Sequence, residues 1–525
     1  MKTYDISSWI AEKARRAPDK VAIRFEGRET RYGQFEDRIA HLSGAFADTL
    51  GIEQGDRIAF LGDNCPEILE LLFACARTGA ILVPLNIRMT TEQLGVFLNN
   101  AKPRYLFVCA NHFDSAEACL QQYPSMRLIG IGDDTHSEQD KSDMRALVTA
   151  ATPLDHDRRF PPSTPVLMIY TSGTTGLPKG ALISQEALYH SALNSIGVFE
   201  MVRHDEVLTA VPMYHIAGLS IHSVPAMLAG ATVTIHREFD AGDVLRDIER
   251  LRVTVLLARP VVSRAISSHS DWENTDISSL RTLGTGGTGV PLASMAPWFA
   301  RGIPVQQLYG LTEAMPPVIA VPIEDARRKA GSIGKPSAHV ESRIVDRWMR
   351  DVEPGERGEI ALRGKCVFSE YWANPEATEQ NFRDGWFMTG DVGHIDDDGY
   401  FYIDDRIKDI VIVGGSNIYP ADGERILAEC EAIEEAAIVG RPDPELGESI
   451  VACVVLKEGY AMTSKELRAL FVGRLAVYQH PHHVAFMDSL PRTGLGKIEK
   501  STLRTMVRGD LPLDAAYAKP KQVRR

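Results

Sequence analysis

Apolar residues recur at helical spacing from Ser7 to Arg16 and again from Thr91 to Asn99, which predicts amphipathic helices there. Between such stretches stand short β-branched runs: RYLFVCA (104–110), TVTIH (232–236) and VTVLLA (253–258). Helical periods alternating with short strands are the habit of a layered α/β fold. The most apolar long window, Ile68 to Ile87, is broken by Glu70, Arg77 and Asn86. It reads as a helix, a Thr78-Gly79 stop and a strand AILVPL, not as a membrane span.

From about Pro354 the pattern changes. GEIALRG (358–364), GWFMTGDVGHIDDDGYFYIDDR (385–406) and IVIVGG (410–415) are short strands separated by Gly/Asp turns, which predicts hairpins. Beyond them come two helix periods, near 421–432 and 464–475, and strands AAIVGR and IVACVVLK, enough for a small α+β domain. The expected organisation is a large α/β domain of several subdomains over 1–407 and a small, mobile α+β domain over 408–525, with the boundary at Arg406–Lys408.

A chain of 525 residues, 44% apolar, exceeds what one core organises, in keeping with two or more domains. The net charge of −13 argues against a general affinity for nucleic acid or anionic membrane, so any phosphate site must be local. The basic tail residues Lys519, Lys521, Arg524 and Arg525 read as solvated terminal charges. Seven scattered cysteines support neither a disulfide framework nor a zinc site, which points to reduced thiols and the cytoplasm. The N-terminal stretch has charges throughout and shows no signal peptide.

The candidate chemistry begins at YTSGTTGLPKG (170–180), which follows the apolar run Val166 to Ile169 and holds three glycines, four Ser/Thr hydroxyls and one lysine. Glycines let backbone N–H groups approach a phosphate, hydroxyls donate to its oxygens and lysine neutralises charge. The spacing is not that of a P-loop, because Lys179 follows Pro178 and precedes Gly180. A polyphosphate site and a plain surface loop both remain open on this stretch alone. Further polar, glycine-rich stretches follow: LGTGGTG (283–289), QQLYGLTEA (306–314), MTGD (388–391), DDRIKDIVIVGGSNIYP (404–420) and LPRTGLGKIEK (490–500).

In this order and at these separations, the six motifs resemble the adenylate-forming superfamily of acyl-CoA synthetases, adenylation domains and luciferases, over nearly the whole chain. The resemblance implies an ATP-dependent, AMP-forming acid–thiol ligase that makes acyl-AMP and then acyl-CoA, using ATP, Mg²⁺ and CoA. Thr171, Ser172, Gly173, Thr174, Thr175, Gly176 and Lys179 would cradle the β- and γ-phosphates. Gly286, Gly287 and Thr288, with Tyr309 and Gly310, would hold adenine. Thr312 would reach the α-phosphate and Glu313 would hold Mg²⁺, a hard cation suited to carboxylate oxygen. Asp391, aided by Arg406, would bind the ribose hydroxyls. Lys497 would bridge the attacking carboxylate and the α-phosphate, placing positive charge where negative charge gathers. Lys408 stands at the hinge position.

PMYHIAG (212–218) resembles the segment lining the acyl pocket, with His215 either a gate or a packed core residue. Arg259 and Arg264 are either helix-surface charges or pocket residues that favour a polar acyl chain. Two positions depart from the pattern: Asp422-Gly423, where a glycine near a helix start costs up to ~1 kcal/mol relative to alanine, and Gln479, where a lysine is usual. Both leave the thiol acceptor open between free CoA and a carrier protein acting in trans, since no carrier segment follows. The expected partners are a small-molecule carboxylate and one of those thiols, with homodimer formation left open.

Overall fold

A computed structural model describes residues 5–132, 142–155, 160–171, 179–287, 289–492, 498–509, 511–514 and 517–518. Contacts group the chain into two units: Met1–Arg343 with Ala361–Met388 and Gly399–Phe401, and Ile344–Ile360 with Thr389–Asp398 and Tyr402–Arg525. The boundary anticipated after residue 407 falls inside the second unit. The expected class, a large α/β unit and a smaller α+β one, is what the chain forms.

Among the described residues the larger unit holds a nine-stranded and an eight-stranded sheet. In the eight-stranded sheet, Pro165–Thr171, Ile81–Leu85, Arg57–Leu61, Tyr105–Cys109 and Arg127–Ile131 run parallel, and Lys179–Ser184 returns antiparallel to Pro165–Thr171. Every residue of Ile81–Leu85 and Tyr105–Cys109 is buried, as expected of parallel strands covered on both faces. Helix Thr91–Ala101 turns Leu94, Leu98 and Ala101 into one of the cores formed there. Its start is set by a capping box: Thr90 Oγ1 accepts from Gln93 N (3.3 Å), and the Gln93 side chain accepts from Thr90 N (3.0 Å). Helix Glu67–Thr78 stops at Gly79 (φ 78°) and strand Ile81–Leu85 follows, as the broken apolar window predicted.

In the nine-stranded sheet, Val255–Leu257, Thr282–Gly286 and Val305–Tyr309 are parallel neighbours, with Gly286 paired to Leu308. The motifs starting at Gly286 and Tyr309 therefore leave the sheet at one carboxyl edge, where open parallel sheets place their ligands.

The second unit packs strands Val411–Val413, Ser416–Ile418, Ile433–Asp443, Gly447–Leu456 and His483–Phe486 into one sheet. IVACVVL is apolar without a break because both its faces are covered. Ile450, Ala452, Val454 and Leu456 meet the helix carrying Ile426 and Leu427, while Val451, Cys453 and Val455 meet Leu503 and Val507. The helices are shorter than their apolar periods suggested, at Pro420–Ala428 and Ser464–Ala469, and Lys500–Arg508 is a helix the periodicity did not single out. Gly423 reads differently in three dimensions. A Cβ there would meet Ile438 Cδ1 at 2.5 Å and Phe471 Cε1 at 3.2 Å, so a side chain at 423 would require those two core side chains to shift.

All seven cysteines are free thiols. Among the described residues no helix is long and apolar enough to cross a membrane.

Candidate active site

Strands Pro165–Thr171 and Lys179–Ser184 flank the glycine-rich stretch and pair Thr171 with Lys179. Of the residues expected at phosphate, Thr171 and Lys179 are described; Ser172, Gly173, Thr174, Thr175 and Gly176 lie outside the described residues, as do Thr288 and Lys497. The Thr171 hydroxyl donates to Glu313 Oε1 (3.1 Å), although Thr171 ends a strand of the eight-stranded sheet and Glu313 follows a strand of the nine-stranded one. Glu313 sits on a single 3-10 turn, Thr312–Ala314, directly after strand Val305–Tyr309, with Thr312 half-buried beside it. Gly310 makes that exit feasible, because a Cβ at 310 would lie 2.6 Å from Pro316 Cβ.

Glu313 receives a second hydroxyl, one the sequence did not reveal. The Tyr371 phenol donates to the same oxygen, Oε1, at 2.7 Å. Burial, and then the Glu313 charge, push the Tyr371 hydroxyl well above the ordinary phenol range, so it stays a donor. The Lys179 ammonium lies 5.2 Å from the centre of the Tyr371 ring, a cation–π distance. No local motif could have pointed to Tyr371, whose partner is 58 residues away and is met only through tertiary pairing.

This donor set suits a hard cation. Both hydroxyls occupy Oε1, which leaves Oε2 without a donor among the described residues. Among those residues there is also no cluster of three or more His, Cys, Asp or Glu side chains. A single carboxylate fits Mg²⁺ that completes its shell with water and substrate phosphate oxygens.

Gly286 and Gly287 close strand Thr282–Gly286, and Tyr309, 6% exposed, closes its parallel neighbour. His215 lies on the separate segment after Val211. The Asn64 side chain holds that segment, accepting from Met213 N (2.7 Å) and donating to Val211 O (3.0 Å). The Tyr214 ring packs against the His215 ring at a tilt, centroids 4.5 Å apart, and a π-helical turn, Ala217–Ser223, follows. Such turns are rare and are frequent at functional sites. Arg264 is exposed on its helix. Arg259 is half-buried at that helix's start, and burial, with Arg88 nearby, lowers its pKa.

In the second unit, Asp391 is buried on strand Trp386–Ile395, and Arg406 closes the paired strand Phe401–Arg406. The Arg406 guanidinium reaches Asp391 Oδ1 at 2.9 Å. Lys408 follows on the turn Ile407–Asp409, its pKa lowered by burial and then by Arg406; its carbonyl accepts from Arg504 (2.9 Å). Arg492 and Ile498, which flank the stretch with Lys497, pair with each other. Asp422 is engaged by Arg357 at 3.0 Å.

Residues 10–372 match the AMP-binding enzyme family, and residues 423–497 match its C-terminal domain. Indoleacetate–CoA ligase of Aromatoleum aromaticum is 40% identical over 503 residues, covering 96% of this chain and 98% of that one. Feruloyl-CoA synthase of an Amycolatopsis species is 38% identical over 510 residues, 96% of this chain and 99% of that one. Among solved structures, o-succinylbenzoate coenzyme A synthetase from Bacillus subtilis in complex with ATP and magnesium ion aligns with a TM-score of 0.82. It is 28% identical and covers 96% of this chain and 99% of that one. The chain belongs to the AMP-binding enzyme family, among its acyl-CoA ligases. It is an AMP-forming acid–CoA ligase.

Proposed function

We propose that this ligase activates an aromatic or arylalkanoic carboxylate with ATP and passes the acyl group to CoA. The substrate class rests on the two relatives above, which are named for indoleacetate and feruloyl-CoA. The assignment of the metal carboxylate rests on one observation, the paired hydroxyls that engage one oxygen of Glu313 beside Lys179.

In the first half-reaction a carboxylate oxygen attacks the α-phosphorus and the bond to pyrophosphate breaks. In the second, the CoA thiolate attacks the acyl carbonyl and AMP leaves. Mg²⁺ bound at Glu313 would neutralise phosphate charge. Lys179, with Thr171 to Gly176, holds the leaving phosphates; Thr312 donates to the α-phosphate; Gly286, Gly287, Thr288, Tyr309 and Gly310 flank adenine. Asp391 accepts from the ribose hydroxyls, with Arg406 holding its carboxylate. Lys497 offsets the two anions as they meet. Lys408 is the hinge of a C-terminal domain beginning near 408, and His215 borders the acyl pocket.

The test is pyrophosphate release across a panel of indoleacetate, ferulate, benzoate, malonate and fatty acids, with CoA and without it. Turnover fastest with the aryl acids, yielding AMP and an acyl-CoA, is expected. Preference for malonate or fatty acids would overturn the substrate class, and ADP as product would overturn the reaction. Thioester formed only on a phosphopantetheinylated carrier protein would move the acceptor from CoA to that carrier.

A further inference from the structure

Glu313 carries its charge on a side chain whose last torsion is broad, so a lone carboxylate there would sample many orientations. The segment Phe368–Trp372 restricts it. Phe368 N donates to the Glu313 carbonyl at 2.7 Å, and strand Glu370–Tyr371 pairs with Lys179–Ser184 through Tyr371 and Ala181. Trp372 N donates to Gly180 O (2.7 Å), and Tyr371 N donates to Thr378 Oγ1 (3.0 Å). The Tyr371 ring, 5% exposed, meets Phe368 edge-on at 4.7 Å. Backbone pairing and packing thus fix the phenol independently of the carboxylate it touches. Thr171, the other donor, shares its hydroxyl with Lys179 O (3.4 Å) and stands at the longer distance from Glu313.

We infer that Tyr371 is the positioning residue for the metal carboxylate: its phenol holds Glu313 Oε1, so that Oε2 is presented to the cation without a search through rotamers. The inference rests on the assignment of Glu313 to Mg²⁺ proposed above. It makes Tyr371 act through Glu313 rather than on the reacting atoms. Its ring also carries the Lys179 ammonium, so one side chain supports both the cation's ligand and a phosphate-binding lysine.

Tyr371→Phe isolates the hydroxyl, since the ring, its contact with Phe368 and the cation–π geometry all persist. Binding of Mn²⁺·ATP, followed by water-proton relaxation with no carboxylic acid present, should weaken ~10-fold, the size expected of a lost hydrogen bond to a charged group. The Mg²⁺ half-saturation of pyrophosphate release should rise in parallel. Saturating Mg²⁺ should restore kcat, and KM for the acid should not move. In a Glu313→Gln background the same change should add no further loss, as a double-mutant cycle requires of coupled groups. Unchanged Mn²⁺·ATP binding, an undiminished effect in the Glu313→Gln background, or a kcat loss that Mg²⁺ does not restore would each overturn the inference. Thr171→Val, which removes the other hydroxyl and also a phosphate contact, should keep most of its effect on Mn²⁺·ATP binding in the Glu313→Gln background; loss of that effect there would transfer the positioning role to Thr171. The underlying assignment fails separately, if Glu313→Gln alone leaves the Mg²⁺ half-saturation of the wild type.

Discussion

Two buried carboxylates, Glu313 in the larger unit and Asp391 in the smaller, are held in opposite ways. Glu313 accepts two neutral hydroxyls on one oxygen, whereas Asp391 faces a guanidinium 2.9 Å away. Hydroxyl donors orient a carboxylate and leave its charge in place, which suits a ligand for a cation. A guanidinium offsets the charge, which suits an acceptor for neutral hydroxyls such as those of ribose. The side chain of Arg406 is 51% exposed, so that pair is partly screened by solvent. Two acidic residues found by the same kind of motif thus stand in different electrostatic surroundings.

The strongest way to break this contrast is Glu313→Gln, which keeps the hydrogen-bonding shape and removes the charge. Mg²⁺-dependent pyrophosphate release should fall ~10²- to 10³-fold, the range for losing one electrostatic stabiliser. Near-normal turnover would mean the cation is held elsewhere. Lys497→Ala comes next. It should reduce acid-dependent pyrophosphate release by ~10²-fold, while chemically synthesised acyl-AMP and CoA still give thioester within about tenfold of wild type, no more than ~1.4 kcal/mol of that barrier. Equal loss in both half-reactions, in a variant that melts normally, would remove the separate role of Lys497.

A stability measurement isolates the smaller unit. Gly423→Ala sets a methyl against the Ile438 Cδ1 and Phe471 side chains; overpacking costs about 1–3 kcal/mol, the gain from replacing a helical glycine returns up to ~1 kcal/mol, and the net loss of up to about 2 kcal/mol should be seen as earlier melting. Melting at the wild-type temperature would show that the helix yields without penalty. The smallest effect is expected for Arg406→Ala. A partly exposed pair contributes up to about 1 kcal/mol, so KM for ATP should rise no more than about fivefold, and the Mg²⁺ half-saturation should stay put. A shift in Mg²⁺ requirement would erase the distinction between the two carboxylates.

Much of the candidate site was legible in the sequence because phosphate-binding loops need glycine, hydroxyl and lysine close together along the chain. Thr171 and Lys179 stand out on that ground, whereas Glu313 and Asp391 were named only through the resemblance of their motifs to the family. Tyr371 does not stand out, since a tyrosine before a tryptophan and a capped turn looks like any half-buried aromatic. Asn64 is equally silent, although it anchors the segment leading to His215 across 149 residues of sequence. Arg259 and Arg264 were indistinguishable on paper because their burial depends on how one helix packs.

Periodicity and turn chemistry are properties of neighbouring residues, so the sequence by itself determined the alternating helices and strands, the Gly79 stop, the hairpins after Pro354 and the order of the motifs. Family membership follows from that order. Only the tertiary structure decided which hydroxyls reach Glu313, which side chains close on Gly423, and where the helices Pro420–Ala428 and Ser464–Ala469 end. Each depends on a surface brought up from a distant part of the chain, and a hydrogen bond of 2.7 Å or a clash at 2.5 Å is set by packing that no local pattern encodes.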